Sequence, residues 1–269
     1  MKLFLAGVRK LIRRPATYVT FGLLVALLAL ILLAVGATAG RPEAGANGQA
    51  GLLLVTFPGA YTFVLSFILG LGGLFGVIYG AAVAGSEWTW GTLKAAIARG
   101  ESRTRYQLLS FAAIAALLAV GLLLAFAIGV LVAAIGATIA GVSTSGLGDS
   151  AALGKLPELF ARGWVAMIEQ AALGFAIATL ARSQLAGIGV GIAVYFGEQF
   201  AAIFLPDIVK YLPFNAANAV VEVSGNRGAG GGAIISPLDP NAALLIVAGW
   251  LIGALIVTSL FTERAEISG

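Results

Sequence analysis

Histidine and cysteine are both absent from the 269 residues, and charge is scarce: only 10% of the chain is Asp, Glu, Lys or Arg. Without histidine there is no Ser-His-Asp or Cys-His nucleophile system, no His-ligated zinc or haem, and no imidazole proton shuttle. Without cysteine there is no disulfide framework and no thiolate metal ligand. A soluble domain carries about 25% charged residues. This chain, with 60% hydrophobic residues, is therefore not built for water. Several motifs are missing as well. No GxxxxGK[ST] phosphate loop occurs, and no HExxH, GxSxG or aspartate cluster lies at span level, so the chain offers neither a catalytic set nor a metal site.

What is present is a series of long apolar runs. A hydrocarbon core of about 30 Å takes about 20 helical residues to cross. Six segments reach or approach that length: Thr17 to Ala39, Leu52 to Ala84, Tyr106 to Val142, Trp164 to Leu180, Leu185 to Leu205 and Ala242 to Phe261. The expected fold class is an all-α integral membrane protein with six transmembrane helices, forming one domain over 1–269. The second and third segments exceed the minimum, so each is tilted, broken or extended beyond the bilayer, with Pro58-Gly59 as the expected break in the second. Small-xxx-small spacings at Gly72/Gly76/Gly80 and Gly187/Gly191 would let helices approach closely in lipid. The run Gly70, Gly72, Gly73, Gly76 is no dinucleotide fingerprint, because no strand precedes it.

Eleven of the 16 cations fall on one side of this arrangement: Lys2, Arg9, Lys10, Arg13, Arg14, Lys94, Arg99, Arg103, Arg105, Arg182 and Arg264. Only Arg41, Lys155, Arg162, Lys210 and Arg227 fall on the other. The positive-inside rule then predicts a multi-pass protein of the cytoplasmic membrane with both termini in the cytoplasm. The net charge of +4 suits an anionic leaflet better than nucleic acid. Ala37-Thr38-Ala39 resembles a signal-peptidase site, but the apolar stretch of about 23 residues exceeds the 7 to 15 of a signal core, so an uncleaved first span is expected. Ahead of it, residues 2–14 read as an interfacial amphipathic helix, with Phe4, Val8, Leu11 and Ile12 on one face and Lys2, Arg9 and Arg13 on another.

The most informative polar stretch is 85–105. Glu87 closes the second span, and Trp88 and Trp90 fit an interfacial aromatic belt. Thr92 is a candidate cap for a short helix with Leu93, Ile97 and Ala96 on its apolar face; Gly100 would end it, and Ser102 would cap the next. Such a helix between two long spans has the shape of a docking element for another protein's groove. Leu93 and Ile97 would supply the apolar anchors of that interface, Arg99 and Arg103 its rim or cross-subunit ion-pairing cations, and Glu87 would fix the helix against the first basic segment.

Gly85, Glu87, Gly91-Thr92-Leu93 and, ten residues on, Ser102-Arg103, placed after the second of six spans, resemble the type-2 permease family of ATP-binding-cassette (ABC) transporters. Tyr211-Leu212-Pro213 and Asn215 between the last two spans are also similar. The chain departs from the common pattern at Gly100-Glu101, where many members carry proline, and at Ser110, where many carry lysine. The resemblance implies the membrane half of an exporter that binds no cofactor itself. A separate ATP-binding-cassette ATPase subunit would hold ATP and magnesium, and a second permease chain, identical or not, would complete a dimer. It also implies that the segment after the second span couples to the ATPase and that 206–241 forms an outer re-entrant segment. Ile208 to Leu212 and Ala216 to Val223 would form its hairpin, with Gly225 to Gly232 as a flexible outer loop.

Two carboxylates lie inside the later spans. Glu169 and Glu198, each followed by an amide, Gln170 and Gln199, fall at one depth about 10 Å below the outer helix ends and are candidates for a translocation pathway. They also support a different class, a secondary transporter coupled to protons or cations. A membrane subunit with no transport activity is the third alternative.

Overall fold

The computed structural model describes residues 2–39, 45–221 and 238–265. Every regular element among them is helical: α1 (Lys2–Ile12), α2 (Pro15–Ala39), α3 (Gly45–Val55), α4 (Gly59–Thr89), α5 (Thr92–Ala98), α6 (Arg103–Ile139), a 3-10 turn (Ser145–Gly148), α7 (Ser150–Ala181), α8 (Gln184–Ala201), α9 (Pro206–Val209), α10 (Pro213–Ala219) and α11 (Pro240–Arg264). Five of these, α2, α4, α6, α7 and α11, are long and apolar enough to cross a membrane. The protein is an all-α, multi-pass membrane protein. The fifth apolar segment of the sequence corresponds to α8, whose 18 residues span about 27 Å. It is not among those five.

Local chemistry sets most of the helix ends. Pro58 lacks an N–H and its ring crowds the preceding turn, which disfavours helix at this point, and the second apolar segment divides into α3 and α4 at the expected place. The third stays unbroken: α6 has 37 residues, about 55 Å of helix, and must project beyond a hydrocarbon core of about 30 Å. The fourth begins at Ser150 rather than Trp164, because the Asp149 carboxylate accepts from the Ala151 and Ala152 amides, both at 2.9 Å, and starts the helix early. Pro157 lies inside it.

α4 is the hub, packed against α2, α6, α7 and α8, while α11 packs on α6, α7 and α10. Glycine allows these contacts. An added Cβ at Gly80 would lie 2.1 Å from the Ala171 carbonyl oxygen, and one at Gly174 would lie 2.0 Å from that of Val77. The α4–α7 crossing is therefore a backbone-to-backbone contact, as expected where packing rather than hydrophobicity drives association. Of the row Gly72/Gly76/Gly80 only Gly80 makes so close an approach; at Gly72 and Gly76 the nearest atoms would be 3.5 Å away. Gly187 and Gly191 serve α8, against Ala178 and Val77. The outer surface is apolar, with Leu30, Leu131 and Leu245 exposed on α2, α6 and α11, as suits helices solvated by lipid.

Candidate functional site

The 85–105 stretch folds into a knot joining α1, α4, α5, α6 and α11. Two glycines bound α5. Gly91, at φ +64°, turns the chain out of α4, and Gly100, at φ +88°, turns it out of α5. The Gly100 amide donates to the Ile97 carbonyl at 2.8 Å and the Glu101 amide to that of Ala96 at 3.3 Å, the pairing expected where a left-handed glycine stops a helix. Ser102 then caps α6, its hydroxyl accepting from the Arg105 amide at 3.4 Å. Both the stop at Gly100 and the cap at Ser102 match the sequence expectation.

At the centre of the knot Glu87 is only 1% exposed. One carboxylate oxygen accepts from the Lys10 ammonium; the other accepts from the Thr92 hydroxyl and, at 2.7 Å, from the Tyr106 phenol. Glu87 thus ties α4 to the first basic segment, as expected, and to α5 and α6 as well. Thr92 does not cap α5. Gly91 occupies that position with no side-chain bond, and Thr92 instead spends its hydroxyl on Glu87. Arg14 donates to the Ser86 hydroxyl at 2.9 Å and lies over the Trp90 ring, while Arg182 lies over both Trp88 and Phe261. These cation–π contacts fasten the α7–α8 turn to the ends of α4 and α11.

Two expected interface groups face inward. Leu93 is 1% exposed, buried within its own chain, because the α5 face that carries it and Ala96 packs toward α4 and α6. The Arg103 guanidinium donates to the carbonyls of Thr262, Glu263 and Ala265, at 3.3, 3.1 and 2.7 Å. There it satisfies the orphan acceptors at the end of α11 instead of forming a rim ion pair. Thr104 adds a second tie, its hydroxyl donating to the Glu263 carboxylate at 2.5 Å. Ile12 is exposed, whereas Phe4, Val8 and Leu11 pack inward. What α5 presents outward is Lys94, Ala95, Ala98 and Arg99, with Ile97 half-buried.

The second cluster lies within the bundle. Glu169 is fully buried, and neither of its carboxylate oxygens has a hydrogen-bond partner among the described residues. Glu198, 5% exposed, accepts from the backbone amides of Phe214 and Asn215 at 3.1 and 3.2 Å and from the Asn215 side chain at 3.1 Å. It thereby anchors the start of α10 to α8. Gln170 is buried against Gly73, where an added Cβ would meet its amide oxygen. Gln199 is exposed and does not join the cluster, because adjacent helical residues point about 100° apart.

Sequence reasoning passed over Tyr106, Ser86 and Gln107. Gln107 is 1% exposed, and both its amide atoms are unpaired among the described residues. Tyr106 and Gln107 open an apolar run, and a polar side chain at such a place reads as a helix end facing water. No protein-family model matches the chain, and no curated protein sequence matches it.

Proposed function

We propose that this protein is the transmembrane subunit of an ATP-driven exporter of the type-2 ABC permease kind, with α5 as the element that receives force from a separate ATPase. The observation that carries this reading is the construction of α5. A seven-residue helix is held between two long spans by a left-handed glycine on each side, and Glu87 bonds its first residue to α1 and α6. The Glu87 bonds add anchorage beyond the burial of Leu93 and Ala96, although a plain turn would suffice to connect α4 to α6. Anchored in this way, it can pass displacement to the membrane helices as a rigid lever. The docking face is Lys94, Ala95, Ala98 and Arg99, with Ile97 at its edge.

In this reading α8 is a sixth span and both termini are cytoplasmic. The described part of the segment after α8, up to residue 221, returns into the outer part of the bundle, a view supported by the burial of Phe214, Ala216 and Ala217 on α10. The expected glycine-rich outer loop at 225–232 lies outside the described residues. Thiol labelling of single cysteines introduced into this cysteine-free chain checks the orientation. Position 100 should react from the cytoplasm and position 148 from outside; the reverse pattern would refute it. The function is tested by copurifying the chain with neighbouring gene products and measuring ATP hydrolysis. Recovery of an ABC ATPase whose activity depends on this chain supports the proposal, and a chain that transports substrate in vesicles without ATP refutes it.

A second reading, a secondary transporter driven by protons or cations, is favoured by one observation: Glu169 is buried with both oxygens unpaired among the described residues, and the neighbouring helix α8 carries a second buried carboxylate, Glu198. Intramembrane ionisable groups are costly and default to functional hypotheses. Transport that persists without ATP and is lost in Glu169→Gln would favour this reading.

A further inference from the structure

A cleft of about 390 Å³ opens between α2, α4 and α6. Phe21 and Leu24 of α2, Ile68 and Phe75 of α4, and Leu117 and Leu122 of α6 line it. Gly72, Gly76 and Gly121 give it width; no atom lies within 4 Å of where a Gly121 Cβ would stand. Of the hydroxyls on its walls, those of Thr17, Thr20 and Tyr79 are bonded, and that of Tyr18 sits on a largely exposed side chain near the start of α2. Thr17 donates to the Leu11 carbonyl at 2.7 Å, so in its 2.7 Å contact with Tyr79 the phenol is the donor; Thr20 donates to the Ala16 carbonyl at 2.7 Å. The cleft therefore offers mainly hydrocarbon walls, its one hydroxyl unbonded among the described residues being that of Tyr18 near the α1 end. Its mouth lies between membrane-crossing helices beside exposed Val19, Val120 and Leu124, so what enters comes from lipid.

The end of the cleft is closed by Ile12, the last residue of α1. Arg13 follows directly, its amide bonded to the Arg9 carbonyl, which keeps Arg9 and Arg13 one helical turn apart on one side. Both are exposed, and neither side chain has a partner among the described residues, unlike Lys10 and Arg14. An apolar slot of small-molecule size with two uncommitted cations at its interfacial end is complementary to an amphiphile with an anionic head.

We propose that this cleft binds one acyl chain of an anionic phospholipid from the leaflet in which α1 lies, with the lipid phosphate held at Arg9 and Arg13. The site would cement α1 to α2 and α6, and it does not depend on which side of the membrane α1 occupies or on the source of transport energy.

Native mass spectrometry of the detergent-solubilised chain, titrated with dioleoyl-phosphatidylglycerol and dioleoyl-phosphatidylcholine, tests it. The intact chain should hold one phosphatidylglycerol in preference to phosphatidylcholine. Gly121→Leu, whose Cβ has open space and whose side chain would occupy the cleft, should weaken both by about tenfold or more, equivalent to withholding about two methylenes from burial. Gly22→Leu, on open surface, should change neither. Arg13→Gln should lower the phosphatidylglycerol affinity about fivefold and leave phosphatidylcholine unchanged. Unaltered lipid binding in Gly121→Leu with an unchanged melting temperature would overturn the proposal. So would equal affinity of the intact chain for the two lipids, or a dimer that dissociates in Gly121→Leu while lipid binding persists, which would assign the cleft to a second copy.

Discussion

Glu87→Ala should loosen the α5 knot while leaving the rest of the bundle intact. The carboxylate has three donors from three elements. Lys10 is about a third exposed at its side chain, so screening reduces the worth of that ion pair. The Thr92 and Tyr106 hydroxyls are part-buried, and each left unpaired costs about 1–3 kcal/mol. These losses overlap, and a local destabilisation of about 2–4 kcal/mol results. Glu87→Gln keeps one acceptor and should cost about half as much. Hydrogen exchange of the α5 amides, such as Ala95, whose N–H donates to the Gly91 carbonyl at 3.0 Å, reads the effect. A loss of about 2 kcal/mol raises local exchange about 30-fold. The α1 amides should speed up with α5, since Lys10 is released, whereas those of α7 near Ala171 and Ala172 should not change. Unchanged exchange in α5, or equal acceleration in α7, would refute the idea that Glu87 fastens α5 locally.

Three further outcomes follow from the packing. Gly174→Ala places a methyl group 2.0 Å from the Val77 carbonyl oxygen, and parting α4 from α7 should cost about 1–3 kcal/mol, seen as a lower melting temperature in detergent; Gly121→Ala, with open space at its Cβ, is the control. Glu198→Leu leaves the Phe214 and Asn215 amides without their acceptor, so a cysteine placed at Ala217, now 1% exposed, should become reactive to aqueous thiol reagents while one placed at Ala171 stays protected. Asp149→Ala removes the cap of α7 and should cost about 1 kcal/mol, measurable as faster exchange over 151–154 alone.

The parts of this fold that were legible in the sequence are those fixed by local chemistry. Pro58 parts two helices, Gly100 stops one, Ser102 starts one, and Arg182-Ser183 leaves room only for a tight turn. The apolar lengths of α2, α6 and α11 announced themselves for the same reason. What was not legible depends on distant partners. Arg103 reads as a free surface cation until α11 delivers three carbonyls to it from about 160 positions away. Leu93 reads as an exposed anchor until α4 and α6 cover it. The early start of α7 was hidden because Lys155, Pro157, Glu158 and Arg162 read as an outer loop, although Arg162 bonds Glu158 at 2.9 Å along the helix and Asn241 at 2.8 Å across to α11. Gln199 was grouped with Glu198 by adjacency along the chain, which in a helix places two side chains on different faces.

The central claim is that α5 docks to an ATPase, and in-cell photo-crosslinking from its outward face tests it most directly. A benzophenone amino acid placed at Ala98, which is exposed, should capture a protein containing a GxxxxGK[ST] phosphate loop, identified by mass spectrometry of the crosslinked band. The same probe at Ala113, which is buried, should capture none. A probe at Ala98 that labels only lipid, or only a protein without that loop, in a correctly inserted chain would contradict the account.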